Sequence, residues 1–214
     1  MEWEIWGLWE GCSELGLCVF LLLLYVGIYI SIRRIFIKHI CIPTINISLK
    51  KEKSHMKIRI VAIGKLKEKY LKDAINEYSK RLSRFVQLDI VELPDEKTPE
   101  KISFKEQQIV LKKEADKMSP KIPSNSTLIL MDVQGKAMTS EDFAKTLENY
   151  TISGKSSFCI IIGGSLGIHD SLKQRADLLL SMSNMTFPHQ LARVILLEQL
   201  YRAFKIMNNE TYHK

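Results

Sequence analysis

Short apolar runs alternate with amphipathic stretches five times between residue 56 and the C-terminus. The apolar runs predict strands at residues 57–64, 86–93, 127–133, 158–162 and 178–182. Between them, apolar residues recur at intervals of three and four, which is typical of helices with one buried face. This alternation predicts a single α/β domain with a mainly parallel sheet and helices on both faces.

Local signals predict where several elements begin and end. Ser103 with Glu106, and Thr139 with Asp142, have the spacing of helix capping boxes, and we expect the two helices to end near residues 118 and 150. The segment 134–136 (Gln-Gly-Lys) is expected to form the turn that ends the third strand. Residues 186–188 (Thr-Phe-Pro) are expected to open the long final helix.

The fourth predicted strand ends in a glycine-rich loop, residues 163–167 (GGSLG). The loop matches neither the dinucleotide-binding fingerprint nor the Walker loop. Because carboxyl ends of parallel strands meet at one edge, we expect residues 131–133, 162–164 and 182–184 to lie together. Such a pocket would offer mainly backbone groups beside Leu, Met and Phe side chains. That chemistry suits an adenine or a sulfonium better than a triphosphate, although the same apolar side chains could simply be core.

The first 55 residues differ in composition from the rest. Residues 15–32 contain no charged side chain and, at 1.5 Å per residue, would form a helix of about 27 Å, just long enough to span a bilayer. Basic residues follow this stretch, which would leave the remaining chain in the cytosol. We favour a translation start assigned too early, since Met56 begins a strand and residues 51–52 (Lys-Glu) can be encoded by a ribosome-binding sequence. In both interpretations the domain at residues 56–214 is cytoplasmic.

The basic excess belongs to this domain, because residues 56–214 carry 25 Lys and Arg against 19 Asp and Glu. An anionic partner and a solvated basic surface both fit this charge. For the basic face of the first helix, a solvated surface is the simpler interpretation. The four cysteines show no CxxC spacing and the histidines are scattered, so we predict neither a disulfide framework nor a metal site.

Two features near the C-terminus leave alternatives open. Arg193 and Arg202 lie on an otherwise apolar helix and are either ion-pair partners or RNA contacts; Glu198, four residues before Arg202, favours pairing there. The chain ends in Tyr212, His213 and Lys214, and a terminus is usually frayed. If this tail folds over a pocket, it can stack on a base, move a proton near neutral pH and contact a phosphate.

Five segments together resemble one family. These are MKIRIVAIGKLKEKYLKDAINEYSKRL, LMDVQGK, GGSLGIH, LSMSNMTFPHQLARVILLEQLYRAFKIM and the terminal YHK. They are similar to the ribosomal RNA large subunit methyltransferase H family of the SPOUT class. The resemblance runs from residue 56 to residue 214, and residues 1–55 depart from it, which supports the early-start interpretation.

The resemblance implies methylation of N3 of a pseudouridine in the 23S rRNA of the assembled ribosome, with S-adenosyl-L-methionine as donor and no metal. It also implies a homodimer and a trefoil knot in the C-terminal part. The tail of the other subunit would bring Tyr212 and His213 closest to the target base, with His213 acting either as general base or only to position the ring. The donor-binding residues that the resemblance implies are Met131, Gly163, Met182, Ser183, Asn184, Met185, Thr186 and Phe187.

Three other functions are compatible with parts of the sequence. The first is a SPOUT methyltransferase that acts on another RNA such as tRNA, which the intact YHK tail disfavours. The second is a ribosome-associated binding factor without catalysis, which would not bind the donor. The third is a membrane-tethered protein anchored by residues 15–32, which would be recovered with the membrane fraction.

Overall fold

The structure, a computed structural model, describes residues 56–97 and 102–212. The chain divides after residue 50, and every described residue belongs to the second unit, residues 51–214. The possible membrane span at residues 15–32 and the tail residues His213 and Lys214 lie outside the described residues. Among the described helices, none is both long and apolar enough to cross a membrane.

Strands and helices alternate throughout the described residues. The strands are β1 (Lys57–Ile63), β2 (Gln87–Leu93), β3 (Thr127–Ala137), β4 (Ser157–Ile162) and β5 (Leu178–Ser181). The helices are α1 (Lys69–Leu82), α2 (Phe104–Met118), α3 (Ser140–Ile152), α4 (Asp170–Lys173) and α5 (His189–Met207), with a 3-10 turn at Ser119–Lys121. The strands form one sheet in the order β2-β1-β4-β3-β5, and all neighbouring pairs are parallel.

Helices cover both faces of this sheet, as the sequence predicts. Successive residues of a strand point to opposite faces. On one face, Ile60 and Ile160 pack with α1, α3 and α5 in a core that includes Leu197. On the other face, Val61 and Ile161 pack with residues of α2 and α4. Strands β1 and β4 and the first half of β3 are buried on both sides, which explains their nearly continuous apolar runs.

The predicted helix starts are confirmed by their caps. The side chain of Ser103 accepts a hydrogen bond from the backbone N–H of Glu106, whose carboxylate accepts one from the backbone N–H of Ser103. Thr139 Oγ1 accepts a hydrogen bond from the backbone N–H of Asp142 at 3.1 Å. Both caps satisfy N–H groups that the first turn of a helix leaves without intrahelical partners.

The turn predicted at residues 134–136 is wrong, because β3 continues through them. Met131 and Lys136 both pair with Leu180 of β5, so the residues between them bulge out of the ladder and pairing then resumes. The bulge passes very close to β5, since a Cβ on Gly135 would lie 2.7 Å from the backbone of Leu179. The sequence marks a local irregularity here, whereas pairing with β5 decides that the strand goes on.

Candidate functional site

The carboxyl ends of β3, β4 and β5 meet at one edge of the sheet and line a cleft of about 460 Å³. The three strand ends that the sequence places together do contribute to one site. Helices α2, α4 and α5 complete the walls. The lining consists of residues 131–134, 162–168, 182–183 and 185–187, with Gln108, Leu111, Asp170, Lys173, Leu180, His189 and Ala192.

The floor of the cleft is the glycine loop at residues 163–167, which folds back on itself. Gly164 and Gly167 form an antiparallel bridge, and the N–H of Gly167 donates to the carbonyl of Gly164 at 3.2 Å. Gly167 has φ of 94°, which favours glycine. A Cβ on Gly163 would collide with the carbonyl oxygen of Gly167. The loop therefore needs glycine at positions 163 and 167.

The wall between β5 and α5 is shaped by two serines. Ser181 Oγ donates to the carbonyl of Ser183 at 3.1 Å, and Ser183 Oγ accepts from the N–H of Met185 at 3.0 Å. Seven of the eight residues that the resemblance assigns to donor binding line the cleft. Asn184 is the exception: it lies in the same turn but outside the lining and is exposed.

An ion pair between Asp132 and Lys173 closes one side of the cleft. Lys173 Nζ lies 2.6 Å from Asp132 Oδ2, and the side chain of Asp132 is only 11% exposed. Burial alone would raise the pKa of Asp132. Two hydrogen bonds, one from Lys173 and one from the N–H of Gln134, together with the positive charge of Lys173, instead hold this pKa below its ordinary value. The carboxylate therefore stays ionised. This ion pair could not be predicted from the sequence, because nothing there distinguishes Lys173 from the many other lysines of the chain.

Next to His189 and Ala192 of the cleft lining, α5 carries a buried arginine, Arg193, which is 1% exposed. Its Nη2 donates to the carbonyls of Ile63 and Gly64 at 2.6 and 2.7 Å, and its Nη1 pairs with Glu92 at 2.8 Å. Of the two functions considered for Arg193, this burial confirms the ion pair. The guanidinium fastens the first turns of α5 to the ends of β1 and β2.

His189 lies one turn before Arg193 and lines the cleft. It packs against Gly64, where an added Cβ would lie 2.8 Å from its Nε2. Burial and the charge of Arg193 lower the pKa of His189, although Asp95 acts in the opposite direction. The ring is therefore neutral at physiological pH and can both donate and accept a hydrogen bond. The sequence offered no signal for this residue beyond its place at the start of a helix.

The tail residue Tyr212 packs on α5 of its own chain, away from the cleft lining. Its ring meets Tyr201 edge-on at 5.0 Å, the guanidinium of Arg202 lies 4.9 Å from its centroid, and its hydroxyl donates to Glu198 at 3.4 Å. The predicted pairing of Arg202 with Glu198 is confirmed at 2.7 Å. At 1.5 Å per residue, Tyr201 lies about 13 Å along α5 from Ala192, the last residue of α5 that lines the cleft.

The cleft combines apolar walls with backbone donors and acceptors and few charges. Within the described residues, no group of three or more His, Cys, Asp or Glu could hold a metal ion. The thiol of Cys159 is buried in β4 and its pKa is raised to about 11 by burial, so it is a poor nucleophile. The arrangement is suited to holding a small molecule in a fixed position.

A family model described as a predicted SPOUT methyltransferase matches residues 56–213. The ribosomal RNA large subunit methyltransferase H of Acetivibrio thermocellus is 54% identical over 159 residues, which cover 74% of this chain and all of the relative. The protein of the same name from Clostridioides difficile is 54% identical over the same shares. A probable methylase family protein from Haemophilus influenzae has a solved structure that covers 71% of this chain and 66% of that one, at 18% identity and a TM-score of 0.40.

The family model covers most of the chain, and the relatives are more than half identical to it over their full length. The chain therefore belongs to the SPOUT methyltransferases and, among them, to the ribosomal RNA large subunit methyltransferase H family.

Proposed function

We propose that this protein transfers a methyl group from S-adenosyl-L-methionine to N3 of a pseudouridine in the 23S rRNA of the assembled ribosome. The relatives over 50% identical are named as methyltransferases of large-subunit ribosomal RNA. The observation that carries the proposal is the cleft, whose lining includes seven of the eight donor-binding residues that the family resemblance implies. Acting on ribosomes, the enzyme would work in the cytoplasm.

The cleft fits the proposed donor in size and chemistry. Its volume of about 460 Å³ lies in the usual range for small-molecule sites. Met131, Leu180 and Phe187 offer apolar surface for an adenine ring, and the backbone of the glycine loop offers hydrogen bonds to its edge. The Asp132–Lys173 ion pair places opposite charges side by side in the lining, so it adds little net charge near the positively charged ligand. We propose Met131, Gly163 and the stretch 182–187 as the donor-binding residues.

The bound donor supplies a methyl group on a positively charged sulfur. In the transfer, the bond from carbon to sulfur breaks, a bond from carbon to N3 forms, and the N3 proton must leave. Such a displacement depends more on alignment of the methyl group with N3 than on acid–base catalysis, so a cleft that fixes the position of its ligand is adequate. We assign to His213 the removal of the proton or the positioning of the base, and to Tyr212 stacking on the base.

We further propose that the tail acts on the cleft of a second subunit in a homodimer. Tyr212 packs on its own α5, outside its own cleft lining. Around the cleft, the apolar side chains of Val133, Met185 and Leu191 are 49%, 72% and 39% exposed. A neighbouring copy would cover this apolar rim and bring its tail to the site.

The reaction is tested with labelled S-adenosyl-L-methionine and ribosomes from a strain that lacks the gene. We expect label in intact ribosomes, at N3 of a pseudouridine, and none when that pseudouridine is replaced by uridine. Free 23S rRNA and tRNA serve as parallel substrates. Label in tRNA alone would assign the enzyme to another RNA, and binding of ribosomes without label or donor binding would indicate a factor without catalysis.

The shared site is tested by mixing two inactive variants, His213→Ala and Gly163→Ala. In random dimers, one subunit would contribute an intact tail and the other an intact cleft, so the mixture should regain about one quarter of the wild-type activity. A mixture that stays inactive, although dimers have exchanged subunits, contradicts the shared site. The two homodimers and the wild-type protein, each carried through the same exchange, are the controls.

A further inference from the structure

The basic residues in and before α1 fall into two groups. Near the end of α1, Arg81 pairs with Glu77 at 2.8 Å, and just after the helix Arg84 pairs with Glu210 at 2.7 Å. Glu210 also pairs with Lys205, and Lys80 forms no ion pair with the described residues. At the start, the lysines form no ion pair with residues 56–97 and 102–212, although Glu68 and Asp73 lie one helical turn from Lys72 and Lys69. The unpaired, exposed lysines are Lys65, Lys67, Lys69 and Lys72. The sequence favours a uniformly solvated face, whereas the structure separates an end with ion-paired arginines from a charged half at the start, where four lysines have no ion pair among the described residues.

The charged half is fixed beside the cleft. The turn at Gly64 has φ of 85°, its N–H donates to the carbonyl of Leu93 at 2.7 Å, and its carbonyl accepts from the buried Arg193. Further on, the N–H of Lys67 donates to Oε1 of Gln190 at 3.2 Å. Gln190 follows His189, which lines the cleft. The segment between β1 and α1 is thus tied at two points to the first turn of α5, next to the site.

An exposed aromatic ring accompanies these lysines. Tyr70 is 68% exposed, while its neighbour Leu71 is buried and anchors the first turn of α1 in the core. Lys65, Lys67 and Lys69 precede it, with Glu68 as the one acidic residue among them. Lysines that alternate with an exposed aromatic ring are the combination by which proteins hold single-stranded nucleic acid, through phosphate contacts and base stacking.

We propose that Lys65, Lys67, Lys69 and Tyr70, here called the lysine ridge, dock the RNA strand that flanks the target nucleotide. The lysines contact phosphates, and the Tyr70 ring stacks on an unpaired base. The proposal rests on the proposed function for the identity of the RNA, and adds which surface holds it at the cleft. Because the ridge is tied to α5, docking there would fix the distance between the bound strand and the cleft.

The test measures the affinity of the full chain for unmethylated ribosomes, by co-sedimentation over a series of salt concentrations. The triple variant K65Q/K67Q/K69Q should raise Kd by ~10-fold near physiological salt, and should lower the slope of log K against log salt by about two to three. The matched control is K57Q/K121Q/K145Q, which removes the same charge from exposed lysines elsewhere in the described structure. It should change Kd by less than about twofold, since none of its lysines lies in the ridge.

Tyr70 is tested separately, because stacking and charge respond differently to salt. Tyr70→Ala should raise Kd by ~10-fold with the salt slope unchanged, and Tyr70→Phe should retain wild-type affinity. RNA docking by the lysine ridge is contradicted if K65Q/K67Q/K69Q binds ribosomes as tightly as the wild type does. It is also contradicted if the control triple variant loses the same affinity. Donor affinity, measured by calorimetry, should be unchanged in every variant and shows that each is folded.

The binding measurement separates this inference from the proposed reaction. A wild-type chain that binds ribosomes but transfers no methyl group would contradict the proposed reaction. The comparison of the two triple variants would still show whether the lysine ridge docks the RNA. If the ridge variants transfer the methyl group and bind ribosomes with wild-type affinity, RNA docking by the lysine ridge is contradicted and the proposed reaction is not.

Discussion

Gly163 is the residue whose replacement should affect the cleft most directly. A methyl group there would collide with the backbone of Gly167 across the loop, and a backbone atom cannot move aside as a flexible side chain can. We expect Gly163→Ala to weaken binding of S-adenosyl-L-methionine by at least tenfold and to destabilise the fold by ~1–3 kcal/mol, the usual cost of overpacking. Calorimetric titration and urea unfolding measure the two effects.

Gly164→Ala is the matched control for that prediction. Its Cβ would lie 3.1 Å from a methyl group of Ile63 and 3.4 Å from the carboxylate of Glu114, both of them side chains. Side chains can yield by a few tenths of an ångström, so the loss of donor affinity should be smaller than for Gly163→Ala. Equal losses in the two variants would contradict the assignment of the effect to the backbone of Gly167.

Glu114 is a buried carboxyl behind the glycine loop and is 4% exposed. Burial raises its pKa, and the charges of Glu96 and Asp95 act in the same direction, while the N–H of Glu96 and the charge of Lys117 oppose them. The folded state therefore binds this proton more tightly than the unfolded chain does. The stabilising contribution of the protonated Glu114 carboxyl is fully present below the ordinary pKa of 4.5. This contribution declines as the pH rises through the raised pKa of Glu114 in the folded state.

Replacing Glu114 by Gln tests this pH dependence, because the amide keeps the shape but cannot ionise. We expect the free energy of unfolding of Glu114→Gln, relative to the wild type, to increase from pH 4 toward neutral pH. Urea unfolding at a series of pH values measures it. The difference between the two proteins removes the contributions of other carboxyls, Asp132 among them, and a difference that is constant with pH would contradict the prediction.

At the scale of elements, helix α5 is placed by the polar contacts of Arg193 as well as by its apolar face. Removing this side chain would leave the carbonyls of Ile63 and Gly64 without their donor and Glu92 without its partner. We expect Arg193→Ala to cost ~3 kcal/mol of stability, less than a fully buried pair would because Glu92 is 31% exposed. Urea unfolding measures the cost.

The comparison variant is Arg81→Ala, whose ion pair with Glu77 is exposed on α1. Such surface pairs are screened by water and contribute little, so Arg81→Ala should cost much less stability than Arg193→Ala. Similar costs for Arg81→Ala and Arg193→Ala would show that the buried guanidinium does not fasten α5. Arg193→Lys should recover only part of the loss, because an ammonium cannot reproduce the planar fork that reaches two carbonyls and a carboxylate together.

Element boundaries were predictable wherever the cause is local. The caps at Ser103 and Thr139 involve residues three positions apart, so the sequence displays them directly. The continuation of β3 beyond Met131 depends on pairing with β5, which lies some fifty residues later in the chain, and local turn signals pointed the other way. The Asp132–Lys173 pair likewise joins two elements that only the fold brings together.

At the scale of the whole molecule, the two interpretations of residues 1–55 differ in mass. We propose that translation starts at Met56, so the intact mass of the native protein should be that of residues 56–214. A mass near 24.7 kDa, that of all 214 residues, would contradict this start. Recovery of the native protein with membranes would then favour a function for residues 15–32 as an anchor.

The sequence by itself determined the α/β class, the parallel sheet and the loops that follow its strands, because apolar periodicity, caps and glycines act over a few residues. The identity of the family followed from motifs that extend to the terminus. Only the tertiary structure decided the strand order that brings residues 131–134, 162–168 and 182–187 into one cleft. It alone paired Arg84 with Glu210 and placed Tyr212 against Tyr201 of its own α5. These outcomes depend on contacts between residues far apart in the chain, which no local pattern encodes.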